Sequence, residues 1–163
     1  MKKFGIMAAI VVVSFILQTS LFNFFDIFGI VPNISLILVV IFAMMADGVT
    51  GGIIGIMTGV LYDAMMYDVF GIYTLIYFFI GALIGSYSDN MLRENYIAYC
   101  TTTAISTVAM NLLMYLILFF LKYRVEYAGN IISSIFIEVV LNTILVVFIV
   151  KFIIFIFNKS NIK

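Results

Sequence analysis

Six long apolar stretches, separated by short polar links, take up nearly the whole chain. They run approximately over 4–22, 32–46, 48–66, 70–87, 97–121 and 131–157, with NFFDIFGIVPN, SDNMLREN and KYRVEYAGN as the longest links. Apolar runs of about 20 residues match the hydrocarbon thickness of a bilayer as helices, whereas an outer-membrane barrel reads as short alternating segments. The pattern predicts an all-α integral membrane protein: a single bundle of about six transmembrane helices forming one domain over 1–163. The second stretch is short for a span, and only Asp47 and Gly48 part it from the third, so five helices is the alternative count. Pro32 suits a first helical turn and is placed at the start of the second helix. Lys2 and Lys3 precede an apolar core too long for a signal sequence, with no small-x-small cleavage site after Gln18, Thr19 and Ser20, so the first stretch reads as a retained helix.

The polar positions within these stretches are few and periodic. Gly51, Gly55 and Gly59 recur every fourth residue and Asp63 follows at the same interval. At 3.6 residues per turn they share a broad face without side chains, suited to close approach of another helix. Two readings are open: packing within the chain, or a groove for a partner protein's helix. Asp63 lies near one end of its stretch, either as an interfacial carboxylate or as a group turned inward toward a donor. Asn130, Ser134, Glu138 and Asn142 form a second four-residue stripe, and Cys100, Thr103, Thr107, Asn111 and Tyr115 a third. Charged or amide groups facing lipid are costly, so Gln18, Asn111, Glu138 and Asn142, with Asp63, are expected to converge in a polar seam inside the bundle. Gly81 and Gly85 repeat the small-residue spacing in the fourth stretch, and Tyr67, Tyr87, Tyr96, Tyr123 and Tyr127 are assigned to interfacial belts.

Composition narrows the chemistry. The 163 residues are 66% hydrophobic and 10% charged, with mean hydropathy +1.28, far from the roughly quarter-charged make-up of soluble domains. Eight basic and eight acidic residues cancel, and no basic block exists to neutralise nucleic-acid phosphates. With one cysteine, Cys100, and no histidine, there is no intramolecular disulfide, no base for a thiol nucleophile and no His/Cys metal set; no cofactor is expected. With both termini inside, the inner links hold Lys2, Lys3, Arg93, Lys159 and Lys163 against Lys122 and Arg124 outside, which favours cytoplasmic termini. Lys151 can snorkel toward the same inner face. The seam residues then fall in the middle or outer half of the bilayer, where Lys122 and Arg124 are the cations available to Asp63, Asp68 or Glu138.

The run LQTSLFNFFDIFGIVPNISLILVVIFA, followed by GGIIGIMTGVLYDAMMYDVFGIYTLIYFFIGALIG, resembles the MreD family of bacterial rod-shape-determining proteins. The matching positions are Gln18 and Thr19, then Gly29, Pro32 and Asn33, then Gly55, Gly59 and Asp63, then Gly71, Ile72 and Tyr73. Beyond residue 97 only hydropathy and length agree, so Glu138 and Asn142 take no role from the family. The resemblance implies a non-enzymatic scaffold in the bacterial inner membrane. It would bind MreC and, through it, connect MreB filaments to the RodA glycosyltransferase and its penicillin-binding partner in lateral peptidoglycan synthesis. The family is also similar in fold to the substrate-binding subunits of energy-coupling-factor vitamin transporters, so a vitamin-binding subunit is the alternative. An intramembrane enzyme would have only Asp63 and Glu138 as an acidic pair.

Overall fold

The computed structural model describes residues 2–21, 30–65, 69–88, 95–122 and 131–159. These residues are all-helical: α1 (Lys2–Leu21), α2 (Ile34–Met45), α3 (Gly48–Asp63), α4 (Ile72–Tyr87), α5 (Tyr96–Phe120) and α6 (Ile131–Lys159). Side chains just ahead of the helices set where several begin. The Asn33 carboxamide accepts from the Leu36 N–H at 2.9 Å, so α2 starts after Asn33 and Pro32 precedes the helix instead of occupying its first turn. The close break after α2 is real, because Ala46 is extended and Asp47 caps α3 through the Thr50 N–H. Gly71 precedes α4 in the left-handed region, φ 105°, which a side chain would strain.

All twelve residues of α2 are buried, and every other helix packs against it. Around it α1, α3, α4, α5 and α6 follow one another by pairwise contact. Helices over Tyr96–Phe120 and Ile132–Asn158 are long and apolar enough to cross a membrane. The shorter apolar helices cover Phe4–Ser20, Ile34–Met45, Gly48–Asp63 and Ile72–Tyr87. At 1.5 Å per residue α2 is only about 18 Å long and α3 and α4 about 24 Å, against a hydrocarbon core of about 30 Å. Six helices are observed, and among the described residues two are long and apolar enough to cross a membrane. With 20 residues α1 is about 30 Å long, whereas α2, α3 and α4 are short because Asn33, Asp47, Asp63 and Gly71 bound them.

The tightest packing joins α3 to α4. A Cβ on Gly55 would strike the Tyr77 carbonyl, one on Gly59 the Thr74 backbone, and one on Gly51 the Gly81 carbonyl, while Gly81 is reciprocally closed by Gly51. The glycine face that could have received a partner's helix is therefore filled by α4 of the same chain. Gly85 completes the contact against Asp47 and Gly48. Backbones this close gain dispersion contact that hydrophobic burial cannot supply in lipid.

At the end of the bundle where α2 finishes, the Ser88 hydroxyl lies against the Ala43, Ala46 and Gly85 carbonyls, and the rings of Phe42 and Phe157 stack at 6.4 Å. The Lys151 ammonium sits 5.9 Å from the centre of the Tyr96 ring. Tyr87 and Tyr96 are exposed; Tyr67, Tyr123 and Tyr127 lie outside the described residues.

Gly55→Ala is expected to lower stability by about 1–3 kcal/mol through overpacking against the Tyr77 backbone. Gly5→Ala, whose Cβ meets nothing within 4 Å, is the matched control. Thermal unfolding of the two variants in detergent checks this: equal midpoints would refute the close-packed α3–α4 contact.

Candidate functional site

The polar side chains gather at the end of the bundle where α1 and α3 finish and α2 and α4 begin. Two helix N-termini lie there inside protein, each with backbone N–H groups that have no partner within their own helix. Asp63 serves α4. Its carboxylate is 1% exposed and accepts from the Tyr73 N–H at 3.0 Å, the Thr74 N–H at 2.9 Å and the Thr74 hydroxyl at 2.5 Å. A negative charge beside the positive end of a helix dipole, with charge-assisted hydrogen bonds, is favourably placed. Asp63 is thus turned inward. Its acceptors are taken up by α4, and Lys122 is exposed after the C-terminal end of α5; Arg124 and Asp68 lie outside the described residues.

The N-terminus of α2 is served by three other side chains. Gln18 of α1 accepts through Oε1 from the Ser35 N–H at 3.1 Å and from the Ser35 hydroxyl at 3.0 Å. Its Nε2 donates to the Tyr62 hydroxyl of α3 at 2.9 Å. Asn33 caps its own helix, and its backbone N–H donates to Asn142 Oδ1 of α6 at 2.8 Å. The Asn33 Oδ1 also accepts from the Tyr77 hydroxyl of α4 at 3.1 Å, and its Nδ2 donates to the Met110 sulfur of α5 at 3.3 Å. A single 5%-exposed asparagine therefore touches α4, α5 and α6.

Between α5 and α6 the polar stripes meet in antiparallel register. Asn142 Nδ2 donates to the Thr107 hydroxyl at 3.1 Å, and one turn nearer the α6 start Asn111 Nδ2 donates to Glu138 Oε2 at 2.9 Å. The Cys100 thiol faces the Thr143 carbonyl at 3.9 Å. The Thr103 and Thr143 hydroxyls are buried in the same interface. Tyr115 leaves the stripe and is exposed.

The four residues expected in the polar seam divide into contacts that adjoin one another. Asn111 bonds Glu138, Asn142 bonds Thr107 one turn along, and Gln18 reaches the α2 start that Asn142 also serves. The link between the groups is aromatic: the Tyr62 and Tyr73 rings lie 4.8 Å apart, and Tyr77 is 6.1 Å from Tyr62 and 6.0 Å from Tyr73. Sequence reasoning did not single out Ser35, Tyr62 or Tyr77, and took Asn33 only as part of a motif. The signal for Asn33 was present, because an asparagine directly before an apolar run is a helix N-cap pattern. Nothing comparable marks the tyrosines.

Chemically the cluster holds helices together. Its carboxylates belong to separate hydrogen-bond sets, Asp63 with the start of α4 and Glu138 with amides of α5 and α6. Among the described residues no group of three or more His, Cys, Asp or Glu side chains could hold a metal. A groove of about 410 Å³ lies outside the cluster between α3 and α4, with a nearly all-apolar lining that includes Val60, Phe70, Leu75 and Phe79.

Asp63→Ala is expected to cost about 2–4 kcal/mol by leaving two buried α4 N–H groups unpaired, with Asp63→Asn intermediate; detergent unfolding midpoints order the three proteins. A cycle between Asn111 and Glu138 tests the second contact. Asn111→Leu should cost about 1–3 kcal/mol with Glu138 present, by stripping a half-buried carboxyl of its donor, and under about 0.5 kcal/mol in a Glu138→Leu background. Additive effects would remove the pairing.

Residues 1–156 match a family model described as rod shape-determining protein MreD. No curated protein and no solved structure matches significantly.

Proposed function

Because the chain belongs to the MreD family of rod shape-determining proteins, we propose that it acts as a multi-pass scaffold of the bacterial inner membrane that binds MreC and supports lateral peptidoglycan synthesis. Both termini face the cytoplasm on this reading, which puts the polar cluster toward the outer surface. MreB, RodA and a penicillin-binding protein are reached through MreC.

The observation that carries the reading is the internal use of the polar groups. Gln18, Asn33, Asp63, Glu138 and Asn142 bond to other helices of the same chain, which suits a rigid body whose outer faces are left for lipid and partner helices. Those faces are apolar: Ile105, Leu112 and Leu116 on α5, and Phe148, Phe152 and Phe155 on α6, are all exposed. A vitamin-binding subunit needs polar groups directed into an open pocket, and these are directed at one another. Chemistry is no better served: the family is described as rod shape-determining, and the carboxylate of Asp63 is taken up by the Thr74 hydroxyl and two α4 N–H groups as a helix cap.

Expression of this chain in a rod-shaped bacterium depleted of its own family member checks the proposal. Restored rod shape, with MreC retained on the tagged chain through detergent purification, is the expected result. Cells that stay round would refute the shape role; rods without retained MreC would refute the partner.

A further inference from the structure

One cation stands inside an apolar helix surface. Lys151 lies in α6 between Val150 and Phe152, and only apolar residues follow it from Phe152 to Phe157. Its side chain is exposed, with Phe148, Phe152 and Phe155 exposed around it. Its level follows from the α5–α6 register. Asn111 bonds Glu138 and, four residues along each helix, Thr107 bonds Asn142; carried on in the same register, Tyr96 comes opposite Ile153. Lys151 is therefore beside the first turn of α5, and its ammonium is 5.9 Å from the centre of the Tyr96 ring. That end of α5 is polar and open, because the exposed Asn95 caps it by accepting from the Ile97 N–H at 2.9 Å. A cation at the edge of hydrocarbon is costly without an anion. The acidic side chains among the described residues are engaged elsewhere, Asp47 with Thr50, Asp63 with the start of α4 and Glu138 with Asn111.

We propose that Lys151 and Tyr96 form a binding site for the headgroup of an anionic phospholipid at the start of α5. The ammonium pairs with the phosphate, the face of the Tyr96 ring holds the ammonium in place by cation–π attraction, and the acyl chains lie along the exposed Ile105, Ile144 and Phe148. Tyrosine is at home at headgroup depth, with its ring in hydrocarbon and its hydroxyl in water. A partner's helix is the poorer occupant, because helices approach closely in lipid over small residues and the exposed side chains around Lys151 are large. The site rests on the multi-pass reading proposed above and adds to it a lipid of defined charge at a defined place.

Native mass spectrometry of the full chain, released from detergent containing equal phosphatidylglycerol and phosphatidylcholine, counts the lipid retained. The unaltered chain is expected to retain phosphatidylglycerol about fivefold more than phosphatidylcholine. Lys151→Gln should lose that preference, Lys151→Arg should keep it, and Tyr96→Leu should reduce it about twofold. Lys122→Gln, at the opposite end of α5, is the matched control and should keep it. Lys151→Met replaces Lys151→Gln should that variant fail to insert. A preference that survives in Lys151→Gln, or that falls as far in Lys122→Gln, overturns the site. Flotation with phosphatidylcholine vesicles separates this from the reading beneath it: a chain that floats with the vesicles but shows no effect of Lys151 leaves the multi-pass reading standing, and a chain that does not float overturns both.

Discussion

A backbone N–H at the start of a helix has no carbonyl to bond within that helix, and away from water it must find an acceptor elsewhere. Two helices of this protein, α2 and α4, begin in such surroundings, and α1, α3 and α6 are each tied to one of them by the way its first N–H groups are met. For α4 the acceptor is the last residue of α3, Asp63. For α2 they are Gln18 near the end of α1, Asn142 in the middle of α6 and Asn33 itself. Apart from Asn33, each acceptor is a polar or charged side chain placed in an apolar run, where it would be costly facing lipid. The same feature that looks wrong for a membrane helix is what another helix start requires.

Different contacts hold different parts of the bundle. α3 and α4 are joined by backbone proximity through Gly51, Gly55, Gly59 and Gly81, and Asp63 sits at the end of that face, so the glycine spacing and the carboxylate belong to one device. The α5–α6 pair has no such glycines and is joined by amides, hydroxyls and one carboxyl in register. α2 contributes the apolar centre, enclosed along its whole length. Aromatic contact among Tyr62, Tyr73 and Tyr77 fills the space where the polar ends of these three parts adjoin.

How much of this could be read from the sequence depended on whether the signal was local. Six helices followed from hydropathy, and the stripe Glu138–Asn142 with Asn111 opposite followed from four-residue spacing plus the cost of polar groups in lipid. The length of the helices did not follow, because apolar residues such as Met65 and Phe70 continue the hydropathy beyond points where capping has already ended the helix. Choosing between the two fates of the glycine face was also beyond local pattern, since a groove for a foreign helix and a groove for α4 need the same residues. Tyr62 and Tyr77 were invisible for a related reason: a tyrosine in an apolar run signals nothing until the side chain across from its hydroxyl, Gln18 or Asn33, is known.

The sequence distance between partners divides the contacts by the stage of assembly at which they can form. Asp63 meets Tyr73 and Thr74 ten and eleven residues on, and the glycines of α3 meet α4 across the same short connection, so this hairpin can close as soon as its two helices exist. Gln18 also finds Ser35 within seventeen residues. The Asn33 N–H, by contrast, takes its acceptor from Asn142, 109 residues later, and Tyr77, Met110 and Thr107 complete the same junction. Helices that insert first and pack afterwards can meet the local demands early and the distant ones only when the last helix is in place. The Asn33 N–H therefore lacks its acceptor until α6 arrives, and the junction at Asn33 closes the bundle as well as capping a helix.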